Sequence, residues 1–374
     1  MDLLPILEKN KYIYTHCYDY SYQQWLQLLD SWSEPQYRAK QILQGLYKNL
    51  WFFTLDIGKC WTNLPSALRD KLIQHFAVNK LQCIKLIGSV DNKTIKASFF
   101  LEDNNPVESV LIKSNIGKDN IPLYTLCISS QSGCPLNCDF CATGKMGFNR
   151  NLTCGEIIAQ WAFLNHFLMS NNFGRITHIV YMGMGEPFLN SKEVYQSFSI
   201  FTNPQMINIA QRKITVSTIG IPEKIREFIE LNTQINLAIS LHAPEDDLRN
   251  KLVPINRRYP INEVLTAAVE YVEKTNRRIT FEYALIDGVN DSIEQAQMLS
   301  KILKGLLCHV NLIVLNPSIW IPYKPSSHDR AKKFQSVLHQ HSIPCTIRGK
   351  RGTDINAGCG QLALSTMPLI MNNI

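Results

Sequence analysis

The sequence predicts an α/β protein in which a small helical N-terminal domain precedes βα units that pack as a parallel sheet or as a full or partial barrel. Three observations predict it. Apolar residues recur at helical spacing through the first part of the chain. Past about Cys83 short apolar strands take over, and strands then alternate with helices to near the end, the rhythm of parallel sheets and barrels. Finally, the polar and cysteine-bearing motifs fall at the C-terminal ends of strands, where barrels of this class carry their chemistry.

Taken in order, QYRAKQILQGLY (Gln36 to Tyr47) has helically spaced apolar residues, and Pro35 stands where a first-turn proline is tolerated. A second helix is expected from Leu64 in LPSALRDKLIQHF. These helices make an accessory domain over residues 1–95. From about Cys83, LQCIKLIGSV, TIKASFFLE, VESVLI and YTLCISS read as strands, with Lys113 to Asn120 as a loop. The βα units follow. HIVYMG leads to a helix near Lys192–Phe198, ITVSTIG to PEKIREFIEL, and INLAISLH to a short helix and INEVLTAAVEYVEK. ITFEYALI leads to a helix from Ile293 to Leu306, and CHVNLIVLN to one over Arg330–His339. The second domain is expected over 96–365, with a tail over 366–374.

Composition narrows the class. Of 374 residues, 45% are hydrophobic and 18% charged, enough for a large core. A net charge of +7 suits a polyanionic partner without demanding one. No apolar run approaches the roughly 18 residues of a membrane span, and MDLLPILEKN lacks the form of a secretory signal. Eleven cysteines, an odd number in a chain without an export signal, point to a reducing, cytoplasmic setting with thiols free, metal-bound or transiently redox-active.

The sharpest motif is Cys134-Pro-Leu-Asn-Cys138-Asp-Phe-Cys141. Three thiolates in one short loop can hold three corners of a [4Fe-4S] cubane and leave the fourth iron open to a cofactor. Zinc would want a fourth ligand, and none lies nearby at finger-like spacing. Phe140 suits a hydrophobic cover for the cluster or an ordinary core position. Gly183-Met184-Gly185-Glu186-Pro187 ends a strand, where glycines let backbone approach a ligand and a carboxylate can accept from an ammonium or hydroxyl. Three more strand ends carry Ser217, then Ser240-Leu241-His242, then Asn316. Read singly these are a helix cap, a core histidine and a turn residue; their shared location makes them candidates for one pocket. Cys359, between Gly358 and Gly360, sits in a loop where a thiol can react, and Cys127 closes the strand before the cluster loop. Cys17, Cys60, Cys83, Cys154, Cys308 and Cys345 read as ordinary buried thiols.

CISSQSGCPLNCDFCATGKMGF resembles the radical S-adenosylmethionine (SAM) RNA adenine methyltransferases, and the similarity runs from YRAKQIL at Tyr37 to AGCGQLA at Ala357. The family has a housekeeping branch that methylates C2 (RlmN) and a resistance branch that methylates C8 (Cfr). The resemblance implies a radical SAM partial TIM-like barrel with its cluster on Cys134, Cys138 and Cys141. SAM would contact Gly185, Glu186, Ser217, Ser240, Leu241, His242 and Asn316. It also implies that Cys359 carries a methyl from one SAM while a second, cleaved at the cluster, activates it. Cys127 would then release the product through a transient disulfide, with Glu108 as proton acceptor. The implied substrates are an adenosine in the peptidyl transferase region of 23S rRNA and the adenosine 3′ of the anticodon in tRNA. A flavodoxin or ferredoxin-like donor is the implied electron partner, with the chain a monomer.

The wording SLHAPEDDLRNKLVPINRRYP, PYKPSSHDR and Arg351-Gly352-Thr353-Asp354 leans toward C2, while Trp320 departs from the family wording after Asn316-Pro317. C8 methylation, and a non-catalytic RNA-binding iron–sulfur protein, are the alternatives. Arg38, Lys40, Lys145, Arg150, Arg257, Arg258, Arg348, Lys350 and Arg351 are the candidate phosphate contacts.

Overall fold

A computed structural model of the protein describes residues 12–14, 16–51, 61–76, 80–117 and 120–363. Cys60, the N-terminal MDLLPILEKN and the tail over 366–374 lie outside them.

Strand β1 is Tyr12–Tyr14, and helices α1 (Tyr22–Ser31), α2 (Tyr37–Leu43) and α3 (Ser66–Phe76) follow. Ser21 caps α1 reciprocally with Gln24, so two of the free N–H groups at the helix start are satisfied locally. The helix expected over Gln36 to Tyr47 relaxes into a π-helical turn over Gln44–Lys48. Gly45 stands there against the Trp61 ring, where a Cβ would lie 2.6 Å from the indole.

The strands then run β2 (Lys80–Gly88), β3 (Thr94–Phe100), β4 (Pro106–Ile116), β5 (Pro122–Cys127), β6 (Gln131–Gly133) and β7 (Phe148–Asn151). The four-residue α4 (Ala142–Lys145) stands between β6 and β7, and α5 (Cys154–Ser170) follows. The βα part consists of β8 (Arg175–Tyr181), α6 (Ser191–Thr202), β9 (Ile214–Thr218), α7 (Pro222–Glu230), β10 (Asn236–Ser240), α8 (Asp246–Leu252) and α9 (Ile261–Thr275). It ends with β11 (Ile279–Leu285), α10 (Ile293–Ile302), β12 (Cys308–Val314), α11 (His328–Gln340) and β13 (Cys345–Arg348).

All but β6 and β7 join one eleven-stranded sheet in the order β1-β2-β3-β4-β5-β8-β9-β10-β11-β12-β13. The pairings from β5 through β13 are parallel and those from β1 through β5 antiparallel. Among the described residues β13 pairs with β12 and not with β5, so the barrel is partial. The gap is covered by residues 349–362. Asp354 accepts from Val90 N at 2.8 Å, Asn356 O from Lys96 Nζ at 3.3 Å, Gly360 O from Ala142 N at 2.8 Å and Leu362 O from Thr143 Oγ1 at 2.6 Å.

Strand β2 forms where LQCIKLIGSV predicts it, and residue 95 falls at the start of β3, inside continuous sheet pairing. Two local expectations need correction. Strand β4 runs on through Ile116 into the expected loop, and α10 stops at Ile302, four residues early. Helix α5 was not anticipated at all. Nearly every residue in it is buried, so it has no polar face and no amphipathic signal. It joins the N-terminal helices to the barrel: Gly155 N donates to Asp19, and Tyr47 packs against Trp161. One apolar core consequently extends from Trp25 through α5 to Phe334. No helix among the described residues is long and apolar enough to cross a membrane.

Candidate active site

The three motif cysteines lie on the loop between β6 and α4. Its shape is set by backbone. Cys134 N donates to Gly147 O at 2.9 Å and Asp139 N to Leu252 O at 2.9 Å. Gly133 adopts φ +74, and a Cβ there would fall 2.0 Å from Gly147 O, so only glycine permits the crossing. Asp139 accepts from Lys145 Nζ and Tyr323 OH, each at 2.5 Å, which fastens the loop to the far side of the barrel and holds its carboxyl below the usual range.

Cys134 and Cys138 are buried, Cys141 is half-buried, and all three line one cavity of about 170 Å³ with Phe140. Burial pushes the Cys134 thiol up to about 12 and that of Cys138 well above its ordinary value. Buried thiols of this kind become thiolates only against a strong local cation, which suits an iron–sulfur cluster. Among the described residues no three His, Cys, Asp or Glu groups converge on a single metal ion. Ligands to separate irons of a cubane stand farther apart than ligands of one zinc, so this donor set fits the cluster.

The opposite wall of the cavity comes from the strand ends. Gly183 and Gly185 follow β8, and a Cβ at either would strike Ser129 Oγ (2.6 Å) or Gln131 Cβ (2.5 Å). The Glu186 carboxylate accepts from Phe188 N at 3.0 Å and Ile219 N at 2.8 Å, clamping the loop after β8 to the end of β9. Burial raises it to about 7 against those bonds. Ser217 and Ser240 end β9 and β10 with their hydroxyls 3.5 Å apart. His242 adopts φ +62, and its Nδ1 accepts from Ala284 N at 3.0 Å, so the neutral ring carries its proton on Nε2. Its ring meets Phe140 edge to face at 4.6 Å.

Leu241 does not join this wall. It is fully buried, and its backbone donates to Glu282 O and accepts from Arg249. Asn316 lines a neighbouring cavity of about 150 Å³ instead, where its Nδ2 donates to Cys359 O at 3.2 Å.

That neighbouring cavity holds Cys127 and Cys359 together, with Arg348, Lys350 and Arg351 around it. Cys359 is exposed by surface area, but that surface faces the two cavities, and their desolvating walls push its thiol up while Arg348 pulls it down. Burial and the proximity of Cys359 push Cys127 up strongly. Neither Cys127 nor Cys359 is in a disulfide, so the disulfide implied by resemblance is not present in the structure. Gly358 N donates to Gln361 Oε1 at 2.8 Å and Gln361 Nε2 to Pro317 O at 2.7 Å, which fixes the turn carrying Cys359. Glu108 is buried on β4 and lines neither cavity. Its Oε1 takes Ser98 Oγ at 2.9 Å and Lys96 Nζ at 3.1 Å, while its Oε2 is buried without a partner.

Residues 128–298 match the model of the radical SAM superfamily. The chain is 42% identical over 346 residues to the probable dual-specificity RNA methyltransferase RlmN 2 of Protochlamydia amoebophila, covering 92% of this chain and 94% of that one. It is also 42% identical to the probable dual-specificity RNA methyltransferase RlmN of Chloroflexus aurantiacus, covering 92% of each. A solved radical SAM methyltransferase from Sphaerobacter thermophilus superposes with a TM-score of 0.85 at 42% identity, covering 92% of this chain and 98% of that one. The chain belongs to the RlmN family of radical SAM RNA methyltransferases.

Sequence reasoning missed the groups that hold this RlmN-family site in shape. Arg249 is fully buried on α8, and its guanidinium donates to Leu241 O (3.0 Å), Ile219 O (2.6 Å), Ser240 O (3.2 Å) and Asn256 Oδ1 (2.7 Å). It thereby ties together the ends of β9 and β10. Asn290 donates to His242 O at 2.8 Å and Ala284 O at 2.6 Å, fixing the histidine turn. Among the basic candidates, Lys145 pairs with Asp139, and Arg150 pairs with Asp103 and Glu156.

His242 also sets a pH dependence. Burial, and secondarily Arg249, press its ring from the ordinary 6.5 down to about 3. Between those values the unfolded chain binds a proton that the folded chain refuses. The contribution of His242 is therefore full above about pH 6.5 and is lost as pH falls, at up to about 1.4 kcal/mol per pH unit. Asp19 and Glu186, held up at about 6 and about 7 by burial, act in the opposite sense. The expected result is therefore a difference: the denaturation midpoint of His242→Asn falls less steeply than that of the wild type from pH 6.5 to 4.5. Parallel midpoints across that range would show that His242 is not the group titrating.

Proposed function

We propose that this protein methylates C2 of adenosine in the peptidyl transferase region of 23S rRNA and of the adenosine 3′ of the anticodon in tRNA. One observation carries the reading: two thiols far apart in sequence, Cys127 and Cys359, share a cavity that has basic groups around it and adjoins the three-cysteine cavity. Cys134, Cys138 and Cys141 would hold the cluster, and Gly185, Glu186, Ser217, Ser240 and His242 would face SAM. When bound, these groups supply the methyl group and the one-electron chemistry that a carbon as electrophilic as C2 requires.

The rest falls to the chain. Cys359 accepts and presents the methyl group, and Asn316 with Gln361 holds its turn. Cys127 stands ready to attack the Cys359 sulfur and free the product. Glu108 is proposed as proton acceptor, reached once the Lys96 contact loosens. Asn316 acts on this reading through Cys359 and Leu241 through packing, rather than by touching SAM. A flavodoxin or ferredoxin-like donor and an external thiol reductant complete the proposal. The division into residues 1–95, 96–365 and a tail is proposed as one of function, since a single core runs through the chain.

Expression in a strain lacking its own C2 methyltransferase, followed by nucleoside mass spectrometry of purified rRNA and tRNA, tests the reading. 2-Methyladenosine is expected in both. 8-Methyladenosine alone would overturn the C2 assignment, and 2-methyladenosine in rRNA only would remove the dual specificity.

A further inference from the structure

Glu282 stands in the middle of β11 and points into the barrel. Thr280, Glu282 and Ala284 alternate along that strand as cavity-lining residues, while Phe281 and Tyr283 between them belong to the apolar core. Its side chain borders two spaces. One is the cluster cavity, and the other is a polar hollow of about 650 Å³ in the barrel interior, lined also by Thr215, Asn236, Thr280 and Asn311. Strand register sets Ser240 beside it on β10 and Asn311 beside it on β12. Glu282 is only 3% exposed, and its Oε1 accepts from Asn311 Nδ2 at 2.9 Å. Its Oε2 is buried with no hydrogen-bond partner, since Arg348 Nη1 stands 3.7 Å away, too far to donate. Among the described residues it is the only side-chain atom lining the cluster cavity that is so buried and left unpaired.

A buried carboxylate oxygen without a partner is costly, and an explanation for it is a ligand that completes it. The arrangement suits a single incoming donor. Asn311 occupies Oε1 and so fixes which oxygen is free. Arg348 supplies counter-charge, opposing the upward push of burial on this carboxyl, without taking the Oε2 lone pairs. The free oxygen also belongs on the thiol side of the site. Arg348, its nearest cation, lines the cavity of Cys127 and Cys359, and the charge of Glu282 itself acts to raise the Cys359 thiol. Glu282 thus stands one strand beyond Ser240, toward the group proposed to carry the methyl.

We propose that Glu282 is the residue that selects adenine: its Oε2 accepts a hydrogen bond from the exocyclic amine of the target base, while Asn311 holds the carboxylate in place. This rests on the reading of adenine C2 as the target and deepens it. C2 and the amine flank N1 on one edge of the ring, the edge on which a base taken out of its stack is read. A base whose C2 lies against Cys359 therefore brings its amine into the same site. An ionised carboxylate only accepts, so it matches that amine and repels the carbonyl oxygen that guanine presents in its place. Selection of this kind is strong, because an analogue lacking the donor leaves the buried oxygen unpaired. The hydroxyl and amine donors of SAM share this chemistry, and the test separates the two sources.

The test gives the full chain, with its cluster reconstituted, a pair of RNA hairpins in one reaction. They are identical except that the unpaired adenosine of one is replaced by purine riboside, which lacks the amine. The ratio of C2-methylated products, read by mass spectrometry, is the ratio of kcat/KM. The wild type is expected to favour adenosine by about 100-fold or more, although the C2 of purine riboside is the more electrophilic. In Glu282→Gln the Asn311 donor draws the amide oxygen, which turns an N–H toward the base. This variant is expected to methylate purine riboside within about threefold of the wild type and to show a preference below about fivefold. Its SAM dissociation constant is expected to stay within about threefold of the wild type, and the denaturation midpoint reports its fold. A wild type that methylates both hairpins alike overturns the assignment without any variant. So does a folded Glu282→Gln enzyme that keeps the full preference. So does SAM binding weakened about tenfold or more with the preference intact, which would give the carboxylate to SAM. If the C2 reading itself fails, the wild type methylates neither hairpin at C2; if only the role of Glu282 fails, the adenosine hairpin is methylated and the preference is the same in wild type and variant.

Discussion

Replacing Cys359 with alanine is expected to abolish RNA methylation, by a factor of about 10⁴ or more, because the only other described thiol lining the cavity of Cys127 is Cys141, which the proposal assigns to the cluster. Cys127→Ala is expected to behave differently. It leaves the carrier in place and removes the group that attacks it, so a covalent protein–RNA adduct should accumulate and survive denaturing gel electrophoresis. Digesting the adduct and finding the RNA mass on Cys359 would complete the result. An active Cys359→Ala enzyme, or Cys127→Ala turning over at the wild-type rate without adduct, would sink the assignment. Both thiols are pushed above their ordinary value by burial, with Arg348 opposing. Steps that need their thiolates are therefore expected to accelerate as pH rises from 7 to 9, and Arg348→Gln should depress them further.

The second large effect is structural. Arg249→Leu is expected to destabilise the protein by about 3–5 kcal/mol, read from the denaturation midpoint, because it strands buried acceptors on Leu241, Ile219 and Asn256. Arg249→Lys should recover little. An ammonium on a flexible stem cannot span carbonyls at the ends of two strands as a planar guanidinium does. Affinity for SAM is expected to fall with either substitution, since Ser217, Ser240 and His242 are positioned by the ends that Arg249 joins. A stability loss below about 1 kcal/mol would show that water can replace the guanidinium.

The contrast between these residues explains what the sequence could reveal. That Cys134, Cys138 and Cys141 meet at one cavity was legible because a short loop is a contiguous string. The strand-end residues were legible because βα alternation places them in advance. Arg249 was not, since DDLRNKL is a charged helix that reads as a solvated face, and only three-dimensional packing turns its arginine inward. Helix α5 failed for the opposite reason, lacking any polar face to give it a period. The juxtaposition of Cys127 with Cys359 could be inferred only by likeness, because the gap between β13 and β5 is bridged by a loop without regular structure. The polar interior of the barrel was equally hidden: Thr215, Asn236, Thr280 and Asn311 alternate within ordinary-looking strands, and no local pattern says that they meet.

The covering of the barrel gap by residues 349–362 has a consequence for how the protein is made. A ribosome releases the three-cysteine loop long before it releases Cys359, so through most of synthesis the nascent barrel carries its proposed cluster ligands without the thiol proposed to receive the methyl group. That later-made segment is also the one that docks onto the hairpin β2–β3 and the helix after Cys141. On the proposed assignment, translation order separates the two halves of the site: a nascent chain that captured iron early would not yet hold the thiol proposed to carry the methyl group.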